Sequence, residues 1–138
     1  MISLTGTSID LLLLAARLCL ATVFVISAYA KFLAPPDEVK VIAQLHLPAP
    51  KVLERFAGIC ESVGAIVLVM GVFARTASVL LVCFMLFISF TILNFWSGRE
   101  PAQVLVQKRN AFFANIAIIG GLLYVIGIGP GGFAIGTN

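Results

Sequence analysis

The sequence predicts an all-α integral membrane protein: a bundle of four membrane-spanning helices with a short interfacial amphipathic helix between spans one and two. Three observations predict it. Residues 9–32, 56–74, 76–96 and 111–129 are mainly apolar stretches, each close to the ~20 residues that cross a bilayer core. The chain is 61% hydrophobic with a mean hydropathy of +1.12, against about 45–50% apolar residues in a soluble domain. Charge within the stretches is limited to Asp10, Arg17, Lys31 and Glu61. Each charge held at such depth costs about 2.5–3.5 kcal/mol on insertion scales, which marks it as structural or functional. The four spans leave little room for loops, so residues 1–138 read as a single transmembrane domain.

Residues 1–8 form a short polar tail. Ala28-Tyr29-Ala30 has the look of a signal-cleavage site. However, residues 1–9 carry no positive charge, Asp10 has the wrong sign, Arg17 interrupts the apolar run, and the run exceeds the ~7–15 residues of a signal core. Span one therefore reads as retained. It stops at Lys31 and Pro35-Pro36, because proline cannot continue a helix interior. Residues 37–46 read as the interfacial helix. Asp37 and Glu38 favour its N-terminus through the helix dipole, and Val39, Ile42 and Leu45 make its apolar stripe. Leu47-Pro48-Ala49-Pro50 ends it.

Span two ends near Arg75 and span three follows almost at once, which makes the two an antiparallel hairpin. Residues 97–108 are a polar connection containing Pro101. Span four runs into Gly127, Gly129, Pro130, Gly131 and Gly132, which break it. Four spans put both termini on one side. Loops one and three hold Lys40, Lys51, Arg55, Arg99, Lys108 and Arg109, with Lys31 at the edge; the opposite side has Arg75, and Arg17 lies within the span. The positive-inside rule then expects a multi-pass protein of the bacterial cytoplasmic (inner) membrane with extracytoplasmic termini.

Arg17 and Lys31 are 14 residues apart. That spacing falls about 40° short of four full turns, so both lie on one helix face. Glu61 and Arg75 repeat the spacing, with Gly64, Ala65, Leu68 and Gly71 between them. Small residues there allow close helix approach. Span one runs toward loop one and span two starts from it, so Lys31 and Glu61 share an end. Asn94 and Asn115 belong to that end too. Connectivity alone therefore gathers Lys31, Glu61, Asn94 and Asn115 into a polar cluster within one leaflet. Two readings fit the cluster: a structural ion pair with amides that fix the bundle, or a pocket for a polar headgroup such as a quinone carbonyl. Arg17 fits a carbonyl-bonded packing residue or a ligand contact, and Arg75 an interfacial loop anchor. Trp96 sits at the level of an aromatic belt.

Other classes are excluded. No Walker motif, Gly-x-Gly-x-x-Gly turn after a strand, or Cys/His ligand set occurs. The single histidine, His46, lies outside the spans, which rules out bis-histidine haem and makes a poor metal site. Cys19, Cys60 and Cys83 form no Cys-x-x-Cys pair and read as small buried apolar residues. The +3 charge is spread through the loops as a topology signal, with no nucleic-acid partner implied.

Residues Arg17-Leu18 through Ala28-Tyr29-Ala30-Lys31-Phe32, Leu47-Pro48-Ala49-Pro50, Glu61-Ser62-Val63-Gly64, Gly71-Val72-Phe73-Ala74-Arg75 and the terminal Gly129-Pro130-Gly131 resemble the DoxX family of small membrane proteins in order and spacing. The resemblance covers nearly the whole chain. It implies a four-helix membrane fold and a redox-linked role, carried at Arg17, Lys31, Glu61 and Arg75. Some relatives are subunits of thiosulfate:quinone oxidoreductase, and others are linked to thiol and oxidative-stress systems. The implied cofactor is a quinone, with none covalently bound. The implied partners are the lipid bilayer and another membrane or membrane-associated protein. The alternative is a non-catalytic structural or assembly subunit of a larger membrane complex. In relatives an acid often follows the Gly-Pro-Gly turn, but residues 133–138 have none, which weakens any pairing of the C-terminus with Arg17.

Overall fold

The structure, a computed structural model, describes residues 6–33, 43 and 49–135. The expected interfacial helix over 37–46, with His46, lies outside the described residues save for position 43. Among the described residues all regular secondary structure is helical. α1 (Gly6–Leu33), α2 (Pro50–Met70), α3 (Ala74–Thr91) and α4 (Ala102–Ile128) run in sequence, with one 3-10 turn (Phe95–Ser97) between α3 and α4. The membrane-spanning character of α1, of the stretch Ala74–Ser97 and of α4 is plain from length and composition. α2 has the length, 21 residues or ~32 Å at 1.5 Å per residue, but it carries Lys51, Glu54, Arg55 and Glu61. Two of those four are buried: Glu54 and Glu61 each retain 2% exposure. α2 hides these acids against its neighbours, while Lys51 and Arg55 stay exposed near its start.

The helix ends follow from local chemistry. Pro50 opens α2 at a position whose N–H would have no helical partner anyway. Gly71 closes α2 at φ 75°, and its N–H donates to the Val67 carbonyl at 2.9 Å. The left-handed region suits glycine. Only Gly71, Val72 and Phe73 separate α2 from α3, so those two helices form the tight antiparallel hairpin that the sequence predicts. α4 starts at Ala102, earlier than the apolar stretch at 111, because Pro101 sets its entry and residues 102–110 extend it toward the loop. Gly129, at φ 94°, ends α4, and Pro130 prevents its continuation.

α1 packs most closely on α2, and α3 on α4. α4 also touches α1, so it neighbours both the first and third spans, as connectivity suggests. The core between the pairs is Ala21 and Phe24 of α1, Ala65 and Leu68 of α2, Ala74, Leu81 and Met85 of α3, and Ile119, Leu122 and Val125 of α4. Small residues set the spacing. A Cβ on Gly64 would come within 2.8 Å of Leu81 Cδ2, and one on Gly58 within 3.3 Å of Lys31 Cβ. The cysteines depart from the sequence expectation. Cys19 and Cys83 are exposed and Cys60 is half-buried. The correction has a simple cause: a thiol is nearly apolar, and the outer face of a membrane helix meets hydrocarbon, so hydropathy alone cannot assign such residues to the inside.

Gly64→Val is expected to lower the melting temperature in detergent by overpacking, which typically costs about 1–3 kcal/mol. Gly120→Val, at a glycine with open space around it, serves as the control and should melt near the parent. Equal effects of the two would show that Gly64 does not set the α2–α3 distance.

Candidate functional site

The predicted pair at the loop-one end is formed. Lys31 Nζ donates to Glu61 Oε1 at 3.1 Å and to Oε2 at 3.0 Å, and also to Ser27 Oγ at 2.7 Å. Ser27 lies one turn before Lys31 on α1, and Glu61 faces α1 from the buried stripe of α2. The side chains are 15% and 3% exposed respectively, so this is a buried pair rather than a surface one. The three donors of the ammonium are all used within the chain. Ser27 accepts from Lys31, which leaves its own hydroxyl proton available to a further acceptor.

The two amides are placed differently. Asn115 Nδ2 of α4 donates to Ser89 Oγ of α3 at 3.0 Å. Asn94 is half-buried and stands at the entry to the 3-10 turn, beside the ring cluster of Phe90, Phe95, Trp96 and Phe112. The structure thus gives two hydrogen-bonded groups, one in each helix pair, rather than one connected quartet. They share a depth. Gly121 of α4 faces Leu20 of α1; stepping six residues toward loop one from each, on antiparallel helices, reaches Asn115 on α4 and Ile26, next to Ser27, on α1.

Sequence reading missed Ser27 and Ser89 in this layer, and the buried Glu54 nearer loop one. Ser27 and Ser89 carry no charge, and serine in a membrane helix commonly bonds its own backbone, as Ser62 does to the Gly58 carbonyl at 2.8 Å. The i, i+4 spacing of Ser27 and Lys31 was the available signal. Glu54 is buried two turns before Glu61 on the same stripe, and that seven-residue spacing was likewise visible.

The opposite end is organised by Arg17, 1% exposed. Its Nη1 donates to the carbonyls of Leu68 and Val69 at 3.3 Å each, and Nη2 to the carbonyl of Phe133 at 3.2 Å. The first two are C-terminal carbonyls of α2 that lack helical donors. Arg17 therefore does pair with the C-terminal segment despite the missing acid, because a backbone carbonyl replaces the carboxylate. The same segment is fixed at two more points. The Gly132 N–H donates to Asp10 Oδ1 at 2.7 Å, and the Ile135 N–H to the Met70 carbonyl at 3.0 Å. Gly71 has no room for a side chain beside the Arg17 guanidinium and Ala134. Arg75 is exposed, with its guanidinium over Gly129.

A helical bundle with apolar outer faces, an ion pair buried between helices and a buried arginine on backbone carbonyls defines an integral membrane protein. Residues 12–94, from α1 to Asn94, match the profile of the DoxX family, and the chain belongs to that family. The matched stretch contains Arg17, Lys31, Glu61 and Arg75. The chain is 26% identical over 132 residues to the inner membrane protein YphA of Escherichia coli (strain K12), covering 94% of this chain and 91% of that one. It is also 34% identical over 67 residues to a Surfeit locus protein 4 homolog of Schizosaccharomyces pombe, covering 49% of this chain and 22% of the relative. No solved structure matches.

Arg17→Lys is expected to destabilise the protein nearly as much as Arg17→Met. A single ammonium cannot fork to the α2 end and to Phe133 together, and charged hydrogen bonds contribute about 1.5–3 kcal/mol each. Thermal melting in detergent, with carboxypeptidase digestion of the C-terminus as a second readout, checks this. A lysine variant that melts with the parent and keeps its C-terminus protected contradicts the bridging role.

Proposed function

We propose that this protein is an accessory subunit of a redox system in the bacterial inner membrane that offers a buried polar site to a quinone headgroup. The observation that carries the reading is the Ser27–Lys31–Glu61 group, held within one leaflet at the depth of Asn115 and Ser89. A quinone carbonyl is a neutral acceptor that enters from the bilayer and needs a donor there. The Ser27 hydroxyl is that donor, polarised by the ammonium it accepts from. The chain binds and positions. Electrons come from a partner protein. Similarity to an inner membrane protein supports the location.

A second reading is favoured by one observation. All three donors of Lys31 are satisfied inside the chain, which suits a non-catalytic scaffold that stabilises a larger membrane complex. The two readings separate in one set of variants. Breaking a buried pair by removing one partner costs about 3–5 kcal/mol, because the other charge is left bare. Glu61→Gln is therefore expected to melt below the combined Glu61→Gln and Lys31→Met variant. Decylubiquinone binding is then measured on the stable proteins. Ser27→Ala should weaken it about two- to tenfold, as loss of one hydrogen bond does, and the double variant should lose it. Parental binding in all of them would reject the quinone site; melting coupling without binding would leave the scaffold.

The orientation follows from the Lys and Arg counts: termini and the Arg75 turn outside, loops one and three in the cytoplasm. A reporter joined after Asn138 should be active only outside the cytoplasm, and activity confined to the cytoplasm would reverse the assignment.

A further inference from the structure

The two helix pairs are joined at one end. Loop one connects α1 to α2 and loop three connects α3 to α4, so each of these loops lies within a pair. The covalent link from pair to pair is the turn at residues 71–73, at the Arg17 end. The hydrogen bonds that cross between the pairs, among the described residues, gather there too. Arg17 donates to Phe133, Gly132 donates to Asp10, and Ile135 donates to Met70. At the loop-one end the bonds between described residues stay inside a pair. Lys31 meets Glu61 in the first pair, and Asn115 meets Ser89 in the second. Lys108 meets Glu100 of loop three, again within the second pair.

Packing follows the same division. The core shared by the four helices stops, on the loop-one side, at Phe24, Ala65, Met85 and Ile119. The glycines that let one pair approach the other lie on the Arg17 side of mid-helix: Gly64 faces Leu81, and Gly121 faces Leu20. Nearer loop one, Gly58 faces Ala28 and Lys31, which belong to its own pair. Helices in a bilayer are held together by packing and hydrogen bonds, because hydrocarbon outside is as apolar as the side chains within. Across the seam between the pairs, both are concentrated at the Arg17 end, so the loop-one end is the one that parts at lower cost. A hinge needs a few residues at element ends that absorb the rotation, and the three-residue turn provides them.

We infer that the α1–α2 and α3–α4 pairs are two arms hinged at the Arg17 end, and that their parting at the loop-one end opens the way from the bilayer to Ser27, Lys31 and Glu61. The hinge stands on connectivity, bonding and packing; what passes through it rests on the quinone reading above. Double electron–electron resonance of the full chain in lipid nanodiscs tests it. Alanine replaces Cys19, Cys60 and Cys83, and spin labels go to exposed positions: Val52 of α2 with Val106 of α4 at the loop-one end, and Met70 with Ile128 at the Arg17 end. Widening the seam by the thickness of a flat ring, about 4 Å, takes a rotation of about 8° for an arm of ~30 Å. The distance between positions 52 and 106 is therefore expected in two populations, the second longer by at least about 4 Å. The distance between positions 70 and 128 should give one narrow population. A single narrow population between 52 and 106, or equal spread at the two ends, overturns the hinge. Added decylubiquinone is expected to shift the balance of the two populations. Two populations that it leaves unchanged support the hinge and reject the quinone as what enters. Should the cysteine-free chain not fold, p-acetylphenylalanine at the same four positions carries the label with the native cysteines in place.

Discussion

A guanidinium inside a bilayer has only protein oxygens to satisfy its donors, and the architecture of this chain turns on how Arg17 finds them. α1 and α2 form one close pair, α3 and α4 another. Arg17 reaches from α1 to the open carbonyls at the end of α2 and to the carbonyl of Phe133 beyond α4. It thereby uses helix-end acceptors that would otherwise be unmet in hydrocarbon. Asp10 and the Met70 carbonyl hold the same returning segment at Gly132 and Ile135. The segment closes one end of the bundle and links both pairs. The glycines at 71 and 129 belong to the same arrangement: each ends a helix at a positive φ, and each leaves room for an arginine, Arg17 at the first and Arg75 at the second.

The other end solves the same electrostatic problem with a different acceptor. Lys31 carries three donors, and Glu61 and Ser27 absorb them. Here α2 begins rather than ends, so the terminus it presents beside α1 carries N–H groups, and a carboxylate supplies the acceptor. The difference matters for function. Backbone carbonyls cannot change charge or move independently of the helix, so the Arg17 end is a fixed closure. A side-chain pair can be loosened by a ligand that competes for one donor, and Ser27 keeps a proton to offer.

Much of the fold and part of the site were legible in the sequence. Hydropathy and length mark the spans, and the positions of Lys31 and Glu61 relative to loop one put the two at the same end of adjacent helices. The partial miss at Asn94 and Asn115 has a physical cause. Connectivity fixes the end of the bundle to which a residue belongs but not which helix pair it joins, and the α1–α2 and α3–α4 pairing keeps the amides apart from the ions. Ser27 and Ser89 were illegible because serine has no signature within an apolar run. The closure at Phe133 was illegible for another reason: a backbone carbonyl is present at every residue, so no side chain announces it. The outward-facing cysteines show the limit of hydropathy, which separates membrane from water but not inside from outside within the membrane.

The placement of charge also constrains how the chain assembles. α1, α3 and α4 are apolar enough to cross a bilayer by their own composition, whereas α2 carries Glu54 and Glu61 on its inner stripe. A carboxylate exposed to hydrocarbon on an isolated helix is costly. Glu61 is relieved of that cost once Lys31 is beside it. α1 and α2 therefore need each other, since Glu61 meets Lys31 and the carbonyls at the end of α2 meet Arg17, and the α1–α2 pair is the unit in which the second helix is stable. Gly58 is consistent with this: a Cβ there would meet Lys31 Cβ at 3.3 Å and the Ala28 carbonyl at 3.6 Å, so a close backbone contact between the helices lies one turn from the ion pair. The ion pair and the crossing of α2 thus depend on the same contact, and a candidate site built there cannot be altered without also altering how the second helix is held in the membrane.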